Sequence, residues 1–573
     1  MSSRVFDPFS RHFAETVCRM APGGSAHAPD GLFLAAALTA QNTFIDKHVC
    51  LDLSAQTMLT VAGDEEPSAI EPTADLLATL RSNSCTFAVA IDPKPETETF
   101  KPLILEGNRL YLQRYWLCEN ALARHLKSCA AHPPAKRPPL APQSLTRLTL
   151  DISQAEAIQR VLTHRFTVIT GGPGTGKTTI VSVVLAALLK ENPEQDIRLC
   201  APTGKAQARL KEALDCEINN NLKLDDEPAL KSRLAELKTS TIHRLLKSRP
   251  PLGLFAVDAE NPLPADVLIV DEVSMVDLSL MTKLLTAVPD TCKVILLGDS
   301  DQLAAVETGA VLAEICEATW NGKSPVAQLI HSHRFEADRG IGRLKDAINA
   351  GQSRDAWSIL RTRDDAVSHA PSPATYDACQ QALARYLKGR PFRDYLSAST
   401  PETAFPPFDS FRILCAIHDG PCGVDHVNRC VQTLLGVKDY GHGYPLMVTV
   451  NDYTHRLFNG DIGLCLRHPE SGEIRIWFPD IDNPGHYRSF SQAEIPAHVP
   501  VFAMTVHKAQ GSGFDSVLMI LPPQANRTLT RELVYTGLTR AKKHCAIWAD
   551  ESAFTFAVER RTLRMSGLKG KLA

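Results

Sequence analysis

The sequence predicts an α/β protein built on parallel sheets, and three observations carry that prediction. Short apolar runs alternate with helical periodicity after about residue 146, the pattern of strands buried on both faces and covered by helices. A glycine-rich run, Gly171–Thr178, lies between one such strand and one such helix. A second set of apolar runs repeats the alternation further on.

Taken in order, residues 1–118 hold apolar runs at Leu32–Leu38, Leu76–Leu80 and Leu103–Leu105 but no chemical motif. His132–Pro142 has five prolines in eleven residues. Such a stretch is extended and packs poorly, so it reads as a linker. Phe166–Thr170, Arg198–Cys200, Val267–Val270 and Val294–Leu297 read as strands of a first unit, and Thr178–Leu189 as its helix. Ala370–Asp409 is rich in proline and polar residues and reads as loops. Phe411–Ala416, Val517–Ile520 and Ala546–Trp548 read as strands of a second unit. Within it, Tyr444–Arg488 alternates with period two around the turn pair Asn459-Gly460, a small β insert.

Composition narrows the function. The 573 residues carry a net charge of −3, which excludes a basic coat for nucleic acid but not a local groove. Residues 1–110 hold 8 basic and 14 acidic residues, residues 523–573 hold 10 and 4, so the two ends suit different partners. Leu32–Ala40 is too short to span a bilayer, which takes about 20 apolar residues, and no signal peptide is visible. The 15 cysteines form no C-x-x-C pair. They read as reduced thiols in a cytoplasmic protein, without zinc or iron–sulfur.

The sharpest motif is Gly171, Gly172, Pro173, Gly174, Thr175, Gly176, Lys177, Thr178, which fits G-x-x-x-x-G-K-[ST] between strand and helix. The glycines let backbone N–H groups face phosphate oxygens, Lys177 brings a mobile charge to the β/γ-phosphates, and Thr178 offers a hydroxyl to Mg²⁺. Thr179 follows at the helix start. Val267–Val270 ends in Asp271 and Glu272. Asp271 is placed for the Mg²⁺ shell and Glu272 for the attacking water. Gln302, in the turn after Val294–Leu297, suits a γ-phosphate or that water. Arg334 and Arg540 offer charge to a phosphoryl transition state. Gln154 suits an adenine edge.

The motif order resembles superfamily-one helicases, and its wording resembles one family closely: RecD, the α subunit of exodeoxyribonuclease V (the RecBCD complex). Ala201–Ala206 is similar to motif Ia, Thr241–Arg244 to motif Ib, Val501–Ser512 to motif V and Arg531–Ala541 to motif VI. Leu457–Gly463 resembles a stretch of that family's β insert. Gly107–Leu112 and Trp116–Asn120 resemble the end of its N-terminal domain. The resemblance implies a mainly helical N-terminal partner-docking domain (1–118), a Pro-rich linker region (119–145), and two RecA-like domains (146–330 and 331–573). The second would carry a small SH3-like β insert at about 438–498. It implies an ATP- and Mg²⁺-dependent 5′→3′ motor on single-stranded DNA at duplex ends, in a heterotrimer with a RecB-like helicase–nuclease and a RecC-like scaffold, and no membrane. Lys177, Glu272, Gln302, Arg334 and Arg540 would be catalytic. Thr203, Lys205, Thr241, His243, Thr505 and His507 would line the DNA groove, with hydroxyl, imidazole and ammonium groups that hold phosphates without reading bases.

Two positions depart from the pattern. His333 stands where relatives often carry an aromatic stacked on adenine, and Gly513 where motif V usually has an acid. A stand-alone RecD-like helicase is the alternative, although such relatives tend to have longer N-terminal extensions. A non-motor assembly subunit would lack one of the phosphate-handling residues, and all are present. No second cluster of Asp, Glu and Lys suggests a nuclease centre in this chain.

Overall fold

The computed structural model describes residues 6–573 apart from 23, 30, 55–73, 95–99, 133–141, 250–253, 336–339, 363, 389–391, 469–470, 481–482 and 484. Two parallel sheets organise the part of the chain after residue 146. The first has strand order Val326–Gln328, Phe166–Thr170, Lys293–Gly298, Val267–Val270, Ile197–Ala201, Thr239–Thr241, with every pairing parallel. Its residues alternate between two cores. Ile169, Leu199, Ile269 and Leu297 face the helices Ile152–Thr163, Lys177–Glu191 and Gly204–Asn220. Val168, Cys200, Leu268 and Leu296 face the other way. Successive side chains of a strand point to opposite faces, so a continuous apolar run serves a sheet covered on both sides.

That second face is covered by helices Leu278–Thr286 and Val311–Glu317 together with the N-terminal region. Helices Pro8–Arg19, Leu32–Phe44, Ala74–Arg81 and Gln113–Ala131 surround a four-stranded sheet ordered Cys50–Asp52, Arg109–Leu112, Leu103–Glu106, Val89–Ile91. Helix Gln113–Ala131 lies on helix Leu278–Thr286 beside the first parallel sheet, and Thr282 Oγ1 donates to Cys118 O at 3.1 Å. Trp116, Leu122 and Leu126 share one core with Met281, Leu284 and Val294.

This corrects the boundary drawn at residue 119. Residues 119–131 are not linker but the body of that helix, because Leu122, Ala123, Leu126 and Cys129 repeat at helical spacing and bury themselves. The proline-rich stretch 133–141 lies outside the described residues.

The second parallel sheet runs Val367–Ala370, Ala541–Trp548, Phe514–Ile520, Phe411–Cys415, Ala503–Thr505. The insert is a five-stranded antiparallel sheet ordered Tyr487–Phe490, Ile474–Pro479, Ile462–Arg467, Pro445–Val448, His498–Pro500, and Leu446, Leu464 and Phe478 join the core beneath it. Ala370–Asp409 is another correction. It is largely helical, over Tyr376–Leu387, Arg393–Leu396 and Pro401–Ser410. Thr375 caps the first through the Ala378 N–H, and Pro401 sits in the first turn of the last, where a missing N–H costs nothing. Proline there starts a helix rather than breaking one.

Candidate functional site

The strand Phe166–Thr170 delivers the chain into the glycine loop, and the helix Lys177–Glu191 leaves it. Gly174 and Gly176 have φ of 82° and 83°. A side chain at Gly174 would run into Arg334, and one at Gly176 into the Gln154 amide. Lys177 Nζ lies inside the loop and donates to Gly171 O at 2.5 Å and Gly172 O at 3.1 Å. Thr175 Oγ1 donates to Gly172 O at 2.9 Å. Around this loop opens a cleft of about 830 Å³, lined by Pro173, Lys177, Thr178, Thr179, Asp271, Glu272, Gln302, Arg334 and Arg540 among others.

Asp271 follows the strand Val267–Val270 and accepts the Glu272 N–H at 2.8 Å. Burial, with the Glu272 charge beside it, pushes the Asp271 carboxyl up; a cation would reverse that. Glu272 holds φ 52°, a left-handed backbone that costs about 1 kcal/mol or more and clusters at working sites. Gln302 is buried. Its Nε2 donates to Asp299 Oδ2 at 2.9 Å, and its Oε1 is buried without a partner. A buried amide oxygen left open suits a donor that the chain does not supply, such as water.

The arginines come from different parts. Arg540, beside the second parallel sheet, is held by Thr536 O and Ser512 O, each at 3.1 Å. Arg334 sits beside the glycine loop, where the His333 N–H donates to Gly174 O at 2.8 Å. Burial and the Arg540 charge hold the Arg334 guanidinium down. A wider hollow of about 1020 Å³ also borders Arg334, but it has neither the glycine loop nor the two carboxylates.

Three expected contacts are already occupied within the chain. Gln154 Oε1 accepts the Asp151 N–H at 3.1 Å, closing a helix cap, and its Nε2 donates to Thr175 O at 3.0 Å. The ring of His333 stands 3.2 Å from that Nε2. Thr179 Oγ1 donates to Glu217 Oε1 at 3.0 Å.

A third hollow, a groove of about 640 Å³, runs between the first parallel-sheet unit and the insert. Thr203, Lys205, Thr241, His243 and His507 line it together. Thr505 lies just beneath, buried, and accepts the Lys508 N–H at 3.2 Å. Thr203 and Thr241 are helix caps, accepting from the Ala206 and Arg244 N–H groups at 3.2 Å, so their hydroxyl protons still face outward bonds. Lys205 is held down to about 8, first by burial, then by neighbouring arginines against Asp409 and Asp461.

Sequence reasoning missed Arg209 and Lys542 in the cleft, and Lys247, Lys508, Tyr453 and Phe458 in the groove. Arg244 stacks 4.4 Å from the Phe458 ring centre, joining the groove's two walls. A signal existed for Arg209: it follows Lys205 by four residues, one turn along the same helix face.

Models of known families match three stretches: the AAA domain over 154–308, the UvrD-like helicase C-terminal domain over 500–548, and the N-terminal domain of RecBCD enzyme subunit RecD over 2–111. RecBCD enzyme subunit RecD of Mycobacterium tuberculosis is 36% identical over 99% of this chain and 95% of its own length. That of Mycolicibacterium smegmatis is 34% identical over 100% and 98%. The ATP-dependent RecD2 DNA helicase of Deinococcus radiodurans is 31% identical over 79% of this chain but 57% of its own. A solved Pif1 helicase from Candida albicans covers 71% of this chain and 96% of its own at 16% identity, with a TM-score of 0.36. A phosphate loop, its carboxylate pair, an opposed arginine and a full-length likeness above 30% agree: the chain belongs to the RecD family and is an ATP-dependent DNA helicase.

Proposed function

We propose that this chain is the 5′→3′ single-stranded DNA translocase of a RecBCD-type helicase–nuclease, working at duplex ends in the cytoplasm beside a RecB-like helicase–nuclease and a RecC-like scaffold. The observation that carries the subunit reading is the N-terminal match. Residues 2–111 fit the N-terminal domain of RecBCD enzyme subunit RecD, and the chain is 36% and 34% identical to two RecD subunits against 31% to the RecD2 helicase, which favours the subunit over the stand-alone enzyme.

The site supports a motor. Lys177 and Arg540 face one cleft from different domains, so hydrolysis there changes what holds the domains together. Thr178 and Asp271 would hold Mg²⁺, which would supply charge neutralisation on the phosphates. Glu272 orients and polarises the attacking water, and Gln302 offers it an acceptor. The groove holds a strand by phosphate and stacking contacts, with Tyr453 and Phe458 as aromatic surfaces.

Polarity on single-stranded DNA with one blocked end tests the motor. Streptavidin displacement from the 3′ end, and not the 5′ end, is expected; the reverse refutes it. Docking through the N-terminal domain needs a surface test, since deleting residues 1–118 would cut into helix Gln113–Ala131 and remove part of a core shared with the first sheet. Phe9 and Phe33 are exposed on that domain. Their joint change to Glu is expected to abolish co-purification with the scaffold and spare ATPase. Full co-purification would refute docking through that face.

A further inference from the structure

Two elements run from the groove to the cleft. Helix Gly204–Asn220 starts at the groove with Thr203, Gly204 and Lys205, and lines the cleft one turn later with Arg209. The segment from Thr505 to Ser512 does the same on the second motor domain. His507, Lys508 and Gln510 line the groove, while Gly511 and Ser512 line the cleft. One side chain joins the two: Arg209 Nη1 donates to Gly511 O at 2.6 Å. Position 513 has room for it because it lacks a side chain; a Cβ there would lie 3.0 Å from Arg209 Nη2.

The guanidinium sits under opposing charges. It is held down to about 10 by burial and then by Arg540, with Glu272 pulling the other way and Arg334 adding to the repulsion. Three guanidiniums in one cleft repel each other, and the carbonyl bond across the domains fixes where one of them stands. Any shift of the helix relative to the loop changes that position beside the Glu272 carboxylate.

We propose that Arg209 is a positioning residue that couples the groove to the cleft: by holding Gly511 O it makes strand occupancy in the groove set the alignment of the two motor domains over Glu272. This rests on the reading of the groove as the DNA site. A charged hydrogen bond is the strong kind, and it is directional, so it suits a link that must transmit a displacement of about an ångström, enough to change a rate by up to ~10²-fold.

The test is the ratio of ATPase turnover with saturating oligo(dT) to turnover without it, on the full chain. Arg209→Met keeps the stem and loses the donor; the ratio should fall at least tenfold. Arg209→Lys keeps a donor able to reach a carbonyl and should retain at least a third of the wild-type ratio. Gly513→Ala keeps the guanidinium but presses a Cβ against it at 3.0 Å and should lower the ratio about threefold, a check that stands if Arg209→Met fails to fold. The proposal is overturned if Arg209→Met and Gly513→Ala keep the ratio within twofold of wild type, or if Arg209→Lys is no better than Arg209→Met. A wild-type ratio of one would overturn the groove reading and this proposal with it. A rise in the ATP KM with the ratio unchanged would make Arg209 a nucleotide ligand and also overturn it.

Discussion

The molecule joins its parts in two opposite ways. Across the cleft between the motor domains many links are single polar bonds, among them Tyr535 Oη to Asp299 Oδ2 at 3.0 Å, Asn349 Nδ2 to Asp301 Oδ2 at 3.0 Å, the Leu303 N–H to Thr536 Oγ1 at 2.9 Å, Gln510 Nε2 to Leu303 O at 2.8 Å, and Arg209 to Gly511. Its charges repel one another, and a buried amide oxygen lacks a partner. The seam between the N-terminal domain and the first motor domain is one continuous apolar core. The C-terminal tail pins it. Leu568 and Leu572 are buried there, and Glu119, fully buried, accepts from Tyr111, Ser566, the Gly567 N–H and Lys571. An interface that must open carries charges and polar bonds that a ligand can take over, and one that must hold buries apolar area. Variants in the cleft should therefore change rates, and variants in the seam should change stability.

The largest effect tests the cleft side. Lys177→Gln is expected to lower DNA-stimulated ATPase by at least ~10²-fold, since the charge at the β/γ-phosphates is gone. Its melting temperature should stay close to wild type, because Lys177 bonds only to two loop carbonyls. Near wild-type turnover would remove the loop from the chemistry. Glu272→Gln should bind ATP normally and slow the single-turnover rate by ~10²-fold, the scale of one acid/base group. Weak ATP binding at an unchanged chemical rate would contradict it. Arg540→Lys should cost about tenfold or more, because an ammonium cannot reproduce the planar fork that spans Thr536 O and Ser512 O.

The cleft was more legible in the sequence than the seam, for a physical reason. The phosphate loop needs glycine at φ 82° and 83°, and Asp271 and Glu272 must end a buried strand, so local spacing betrays both. Residues that act across domains have no local spacing to show. Arg209 meets Gly511, and Phe458 meets Arg244, over some 200 to 300 residues of chain. The seam was misread for the same reason. Residues 119–131 looked like the approach to a linker, yet their partners, Met281 and Leu284, lie far along the chain. The helices in 376–410 were hidden by composition: Pro401 opens its helix in the first turn, where a missing N–H costs nothing, and Pro406 and Pro407 lie within the same helix, so a count of prolines does not mark a break there.

On the seam side, Lys571→Met should reverse the pattern. Lys571 Nζ lies 3.1 Å from Glu119 Oε1 and 2.8 Å from Glu106 Oε2. Removing it leaves a fully buried carboxylate short of its cation, which costs about 2–4 kcal/mol. Chemical denaturation should show that loss while the ATP KM and turnover stay within twofold. A fall in turnover at unchanged stability would mean that the tail regulates the motor rather than fastening the domain.

The smallest effect is a pH dependence confined to the seam. Burial, with Glu119 and Glu317 nearby, pushes the Glu314 carboxyl up to about 8, against weaker pulls from Ser566 and the Lys569 N–H. In the unfolded chain it titrates near its ordinary value of 4.5. The folded state therefore binds this proton more tightly, and the resulting stability is full below 4.5 and lost as pH rises through 8. Glu314→Gln fixes the neutral form and removes the dependence. Its melting temperature minus that of wild type should be lowest at pH 5 and rise steadily to pH 8.5, by a few degrees at most. The cleft carboxylates are unchanged in both proteins, so their titration cancels in the difference. A flat difference would mean that Glu314 is ionised in the fold, with Lys569 as its partner, and the tail would then be held by charge rather than by a shared proton and an apolar core.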